Sequence, residues 1–93
     1  MTAREMKSFE QAIIQNIPDD IPKLIYTVEL FGKLLFKDNW TSPLNYDKNN
    51  QEPSTEIYGI LNTMSIAFPK KSFSDVANTI FSHSLTKLTN KLT

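Results

Sequence analysis

Pro22–Lys37 reads PKLIYTVELFGKLLFK, and this stretch decides the fold. Leu24, Val28, Phe31 and Leu35 recur every three or four residues, the spacing that lines one face of an α-helix. Asp20 stands where a carboxylate can accept from the first free backbone N–H groups. Pro22 suits a first turn, where its missing N–H has no partner to lose. Ile25, Tyr26, Leu30, Leu34 and Phe36 spread apolar surface beyond that stripe. The clear polar line is Glu29, Lys33 and Lys37, at i, i+4 and i+8 with the acid leading, the order helices favour. A helix this apolar is either the centre of its fold or covered on two sides. Gly32 at its middle costs about 1 kcal/mol against alanine, which points to another backbone passing close.

Upstream, Met6, Phe9, Ile13 and Ile17 predict a helix over 3–16. Thr2 and Glu5 form a capping box at its start, and Pro18 ends it by disfavouring helical geometry at Ile17. Downstream, residues 38–53, DNWTSPLNYDKNNQEP, have the chemistry of turns. This stretch exceeds the usual loop length, so it reads as functional or disordered. Ile57, Ile60, Leu61, Met64 and Ala67 predict a third helix over 55–67, capped by Ser54. Gly59 lies in its middle. After the break at Phe68-Pro69, a fourth helix is expected over 73–91, capped by Ser72 with Asp75. Val76, Ala77, Ile80, Phe81, Leu85, Leu88 and Leu92 point one way along it. Its polar face is rich in Ser, Thr and Asn, weak helix formers that leave packing to hold it. No period-two alternation is long enough for a strand. The expected fold is all-α: one small four-helix, bundle-like domain over 1–93, two helical hairpins joined by the long polar loop, with antiparallel neighbours.

Composition narrows the function. Ninety-three residues with 40% apolar and 22% charged make one globular domain with a thin core. There are no cysteines, which removes disulfides and thiolate zinc sites and favours an intracellular, cytoplasmic home. The N-terminus lacks the apolar run of a signal peptide, and no stretch approaches the length of a membrane span. The sequon Asn39-Trp40-Thr41 is therefore not expected to carry a glycan. Ten basic and ten acidic residues cancel. They divide as five and seven in residues 1–47 and five and three in 48–93, too even for a dominant phosphate-binding surface.

Little points to catalysis. His83, the single histidine, has no Cys or second His to converge with. Asp19-Asp20 sits at a helix start, where acids serve capping and the helix dipole. Gly32 and Gly59 stand alone and make no phosphate loop. The expectation is a protein without catalytic residues, metal or cofactor. The basic residues Lys70, Lys71, Lys87 and Lys91, with His83 and flanking hydroxyls, could touch phosphates. Against nucleic-acid binding, residues 74–92 fail the helix-turn-helix pattern at Phe81 and Lys87. The chain also has one arginine, Arg4, and so lacks the favoured reader of guanine. Trp40, Tyr46 and Tyr58 are the strongest interface candidates, with Asp38 and Asp47 beside the first two. Alternatively Trp40 folds back to plug the end of the bundle. Tyr26, Leu30 and Phe36 offer a face for a homodimer. The sequence thus leads to a protein-binding module, with a small inhibitor, immunity or antitoxin protein as one concrete form. Self-assembly and nucleic-acid association are the alternatives.

Overall fold

A computed structural model describes residues 2–42 and 51–93. The described chain is all-α. It comprises α1 (Ala3–Gln15), α2 (Ile21–Phe36), a single 3-10 turn (Lys37–Asn39), α3 (Thr55–Ala67) and α4 (Lys70–Leu92). No described helix is long and apolar enough to cross a membrane.

Three of the four helix starts use a side-chain cap. The Thr2 hydroxyl accepts from Glu5 N–H and donates to the Glu5 carboxylate. Asp20 accepts from Lys23 N–H, and the buried Ser54 hydroxyl accepts from Ile57 N–H. α4 differs. It begins at Lys70, a turn before the cap expected at Ser72, and no side chain caps it. Pro69 supplies extended backbone immediately before the helix, and its carbonyl takes the first bond, from Phe73 N–H at 2.9 Å. Ser72 and Asp75 therefore lie inside the helix.

The core is built mainly on α2 and α4, which pack most extensively on one another. α2 buries Leu24, Ile25, Val28 and Phe31; α4 buries Val76, Ala77, Ile80, Phe81 and Leu88. α1 adds Ile13, the turn after it Ile17, and α3 Ile57 and Met64. The pairs on either side of the long connection thus interlock across it. α4 runs opposite to α2: Asp19, just before α2, meets Lys87, while Phe36 at its end meets Phe81. α3 enters beside α2 in the same sense, because Glu52 N–H bonds to Pro22 carbonyl and Tyr58 then meets Tyr26. The antiparallel expectation therefore describes α2 with α4 and not α2 with α3. The connection explains why. Trp40 at one end packs on Gly32 and Glu52 at the other reaches Pro22, about 15 Å apart along the helix axis at 1.5 Å per residue.

Two readings of α2 change. Glu29 belongs to no solvated line; it is buried and accepts the indole N–H of Trp40 at 2.6 Å. Gly32 makes room for a side chain, not for a backbone: a Cβ there would fall 2.6 Å from ring carbons of Trp40. The chain can deliver that indole because Lys37, at φ 51°, reverses direction straight after α2. It is the one non-glycine residue of positive φ among those described, a conformation costing about 1–3 kcal/mol.

Candidate functional site

The aromatic residues at the end of α2 form a cluster with Phe81 of α4. Trp40 stacks on Phe36 at 6.0 Å between ring centres and meets Phe81 edge-on at 5.6 Å; Phe36 also meets Phe81 edge-on. With its N–H on Glu29, half-buried Trp40 has both its ring and its polar edge engaged internally. The fold-back arrangement is the one the structure takes. Asp38 lies exposed in the turn before it. Tyr46 and Asp47 lie outside the described residues.

Tyr58 sits elsewhere, on the first half of α3, with its hydroxyl bonded to that of Tyr26 and the rings 5.8 Å apart. Burial of Tyr26, reinforced by that bond, pushes its phenol up to about 12. The sequence assigned these two tyrosines to separate surfaces, and the structure joins them. Of the face expected from Tyr26, Leu30 and Phe36, the first two are half-buried and Phe36 stays 44% exposed. Tyr26 is tied to Tyr58, Leu30 packs against the core and Phe36 lies in the Trp40 cluster.

The four lysines do not form one patch. Lys70 and Lys71 open α4, and Lys87 follows about 25 Å further along its axis. Lys87 is half-buried, donates to Ile17 carbonyl at 3.1 Å and pairs with Asp19 at 2.6 Å. The hydrogen bond and charge of Lys87 hold the Asp19 carboxyl below its ordinary value, and Lys91 adds to the effect. Lys87 thus ties the turn after α1, and Asp19 just before α2, to α4. Among the described residues no group of three His, Cys, Asp or Glu side chains could hold a metal ion.

The outside of α3, of which the sequence singles out only Tyr58, carries the most exposed large apolar side chain among the described residues. This helix is apolar with a single charge, Glu56, yet buries fully only Ile57 and Met64. Ile66 is 80% exposed and Tyr58 49%. A groove of about 490 Å³ lies between α1 and α3, with Phe9, Ala12, Ile13, Ile60 and Gly59 in its lining. A Cβ at Gly59 would meet nothing within 4 Å. A signal for this surface exists in the sequence. Ile66 lies nine residues after Ile57, half a turn round the helix from it, so a buried Ile57 directs Ile66 outward.

No known protein family, characterised protein or solved structure matches this chain.

Proposed function

We propose that the chain is a non-enzymatic protein-binding module whose contact surface is the outer face of α3 with the α1–α3 groove. The observation that carries this reading is Ile66, 80% exposed on a helix with a single charge. A large apolar side chain this exposed is a candidate contact, and tyrosine, 49% exposed at Tyr58, is among the residues that dominate binding energy. α3 supports this reading better than Trp40, whose ring and N–H are engaged internally. A small inhibitor, immunity or antitoxin protein is the concrete form that fits. Such a protein acts by covering a surface, so a thin core with a cheaply exposed contact face suffices. An intracellular setting suits a cysteine-free chain.

The test is capture of a stoichiometric partner by the tagged chain, followed by cross-linking to locate the contact. The reading expects cross-links from α3 and from the first half of α1. It expects loss of the partner with Ile66→Glu at unchanged thermal stability. Cross-links confined to the Trp40 turn or to Lys70 and Lys71 would overturn it. Light scattering checks self-assembly in parallel, since the module is expected as a monomer of 10.7 kDa.

A further inference from the structure

A second groove, between α1 and α4, plays no part in the protein-binding reading. At about 530 Å³ it falls within the range of about 300–1,000 Å³ typical of small-ligand sites. Its α1 side is apolar, with Ile14 and the following Ile17. Its α4 side presents Ser82, His83, Thr86 and Lys87, which share one side of the helix at i, i+1, i+4 and i+5. An apolar floor with a few converging polar groups is the usual make-up of a ligand site.

Three features give this groove a sign and a geometry. The Lys87 ammonium is fixed in place, held by Ile17 carbonyl and Asp19, and of its three N–H bonds one remains to donate. No carboxylate lines the groove, and Asp19, paired with Lys87, also feels Lys91, so two ammonium groups stand against one carboxylate at this end. The hydroxyls of Ser82 and Thr86 and the His83 imidazole have no hydrogen-bond partner among the described residues. Thr27, Thr63, Ser65 and Thr79, by contrast, each donate to the carbonyl four residues earlier.

We propose that the α1–α4 groove binds a small organic oxyanion, a carboxylate or a phosphate monoester carried on an apolar body. The body lies on Ile14 and Ile17, and the oxyanion accepts from Lys87 and from the Ser82 and Thr86 hydroxyls, with His83 at the rim. This site stands independently of the α3 surface.

The experiment is an NMR titration of the full chain with phenyl phosphate, 4-phenylbutyrate and uncharged 4-phenylbutanol. Both anions are expected to shift the signals of Ile14, Ile17 and residues 82–87 saturably. The alcohol is expected to bind at least about tenfold more weakly, the factor a charge-assisted hydrogen bond supplies. Which anion binds more tightly decides between carboxylate and phosphate ligands. The double variant Ser82→Ala, Thr86→Val alters exposed positions and is expected to weaken both anions by about tenfold with the fold intact. Lys87→Met is expected to abolish anion binding and Lys87→Arg to retain it, since arginine keeps the charge and the Asp19 pair. The proposal is overturned if the alcohol binds as tightly as the anions. It is equally overturned if Lys70 and Lys71 shift as strongly as Lys87, or if no saturation is reached at millimolar concentration.

Discussion

The indole of Trp40 fills the space that any side chain at Gly32 would need, with ring carbons 2.6 Å from where a Cβ would stand. The ring cannot retreat cheaply, since Phe36 and Phe81 pack on it and Glu29 holds its N–H. Gly32→Ala is therefore expected to destabilise the fold by about 2 kcal/mol or more, although alanine is the better helix former. Gly59 faces open space, and Gly59→Ala is expected to stabilise by about 0.5–1 kcal/mol. Urea denaturation followed by tryptophan fluorescence measures both. Opposite signs at two mid-helix glycines, with a red-shifted emission for Gly32→Ala alone, are the expected result.

The bond from Trp40 to Glu29 gives a second expectation. Trp40→Phe keeps an aromatic ring against Phe36 and Phe81 but removes the donor from a buried carboxylate. The expected loss is about 1.5–3 kcal/mol, the range for a hydrogen bond to a charged group. A double-mutant cycle with Glu29→Met, which removes the acceptor, should return a coupling of about 0.5–3 kcal/mol. Additive effects would show that the ring, and not its N–H, anchors the turn.

The helices themselves were legible because apolar spacing and caps agreed. Asp20 and Ser54 cap where the sequence places them, and Leu24, Val28, Phe31, Ile57, Met64, Val76 and Ile80 are buried as their stripes require. What periodicity could not carry was partnership across the chain. Glu29 sits on a polar line by spacing alone, and only the return of Trp40, eleven residues on, makes it a buried acceptor. Lys87 belongs by pattern to a solvated face, yet Asp19, 68 residues earlier, claims it. Pairings over such separations depend on how α2 and α4 cross, which no local pattern encodes. The α3 surface was legible only in part: Tyr58 stood among the interface candidates, whereas Ile66 belonged to no stripe and drew no reading.

The Asp19–Lys87 pair sets a pH dependence with a definite sign. Asp19 has its folded-state value depressed below the ordinary 3.8 by Lys87. Its contribution is present above the unfolded value and is lost as pH falls through the lower, folded one. The stability difference between the parent and Asp19→Asn should be constant at neutral pH and shrink toward zero in acid. Denaturant titrations across the acid range check this. A difference that grows in acid would mean the pair opposes folding.

Tyr26 sets the alkaline limb. Its phenol is raised from 10.0 to about 12, so its contribution is complete below the unfolded value and is lost as pH rises through the folded one. Tyrosinate absorbance should show one phenol ionising late, and Tyr26→Phe should remove that late step. The same variant should lessen the loss of stability between pH 10 and 12. A late step that survives Tyr26→Phe would place the protected phenol elsewhere.

The central claim is that the outside of α3 is where this domain meets another protein. The most direct measurement is the affinity of the captured partner for the parent, for Ile66→Glu and for Lys70→Ala, each first shown to unfold at the same denaturant concentration. Burying a charge at a hot spot should weaken binding at least thirtyfold, about 2 kcal/mol, while Lys70→Ala binds as the parent does. Undiminished affinity in Ile66→Glu, or a larger loss in Lys70→Ala, would contradict the account.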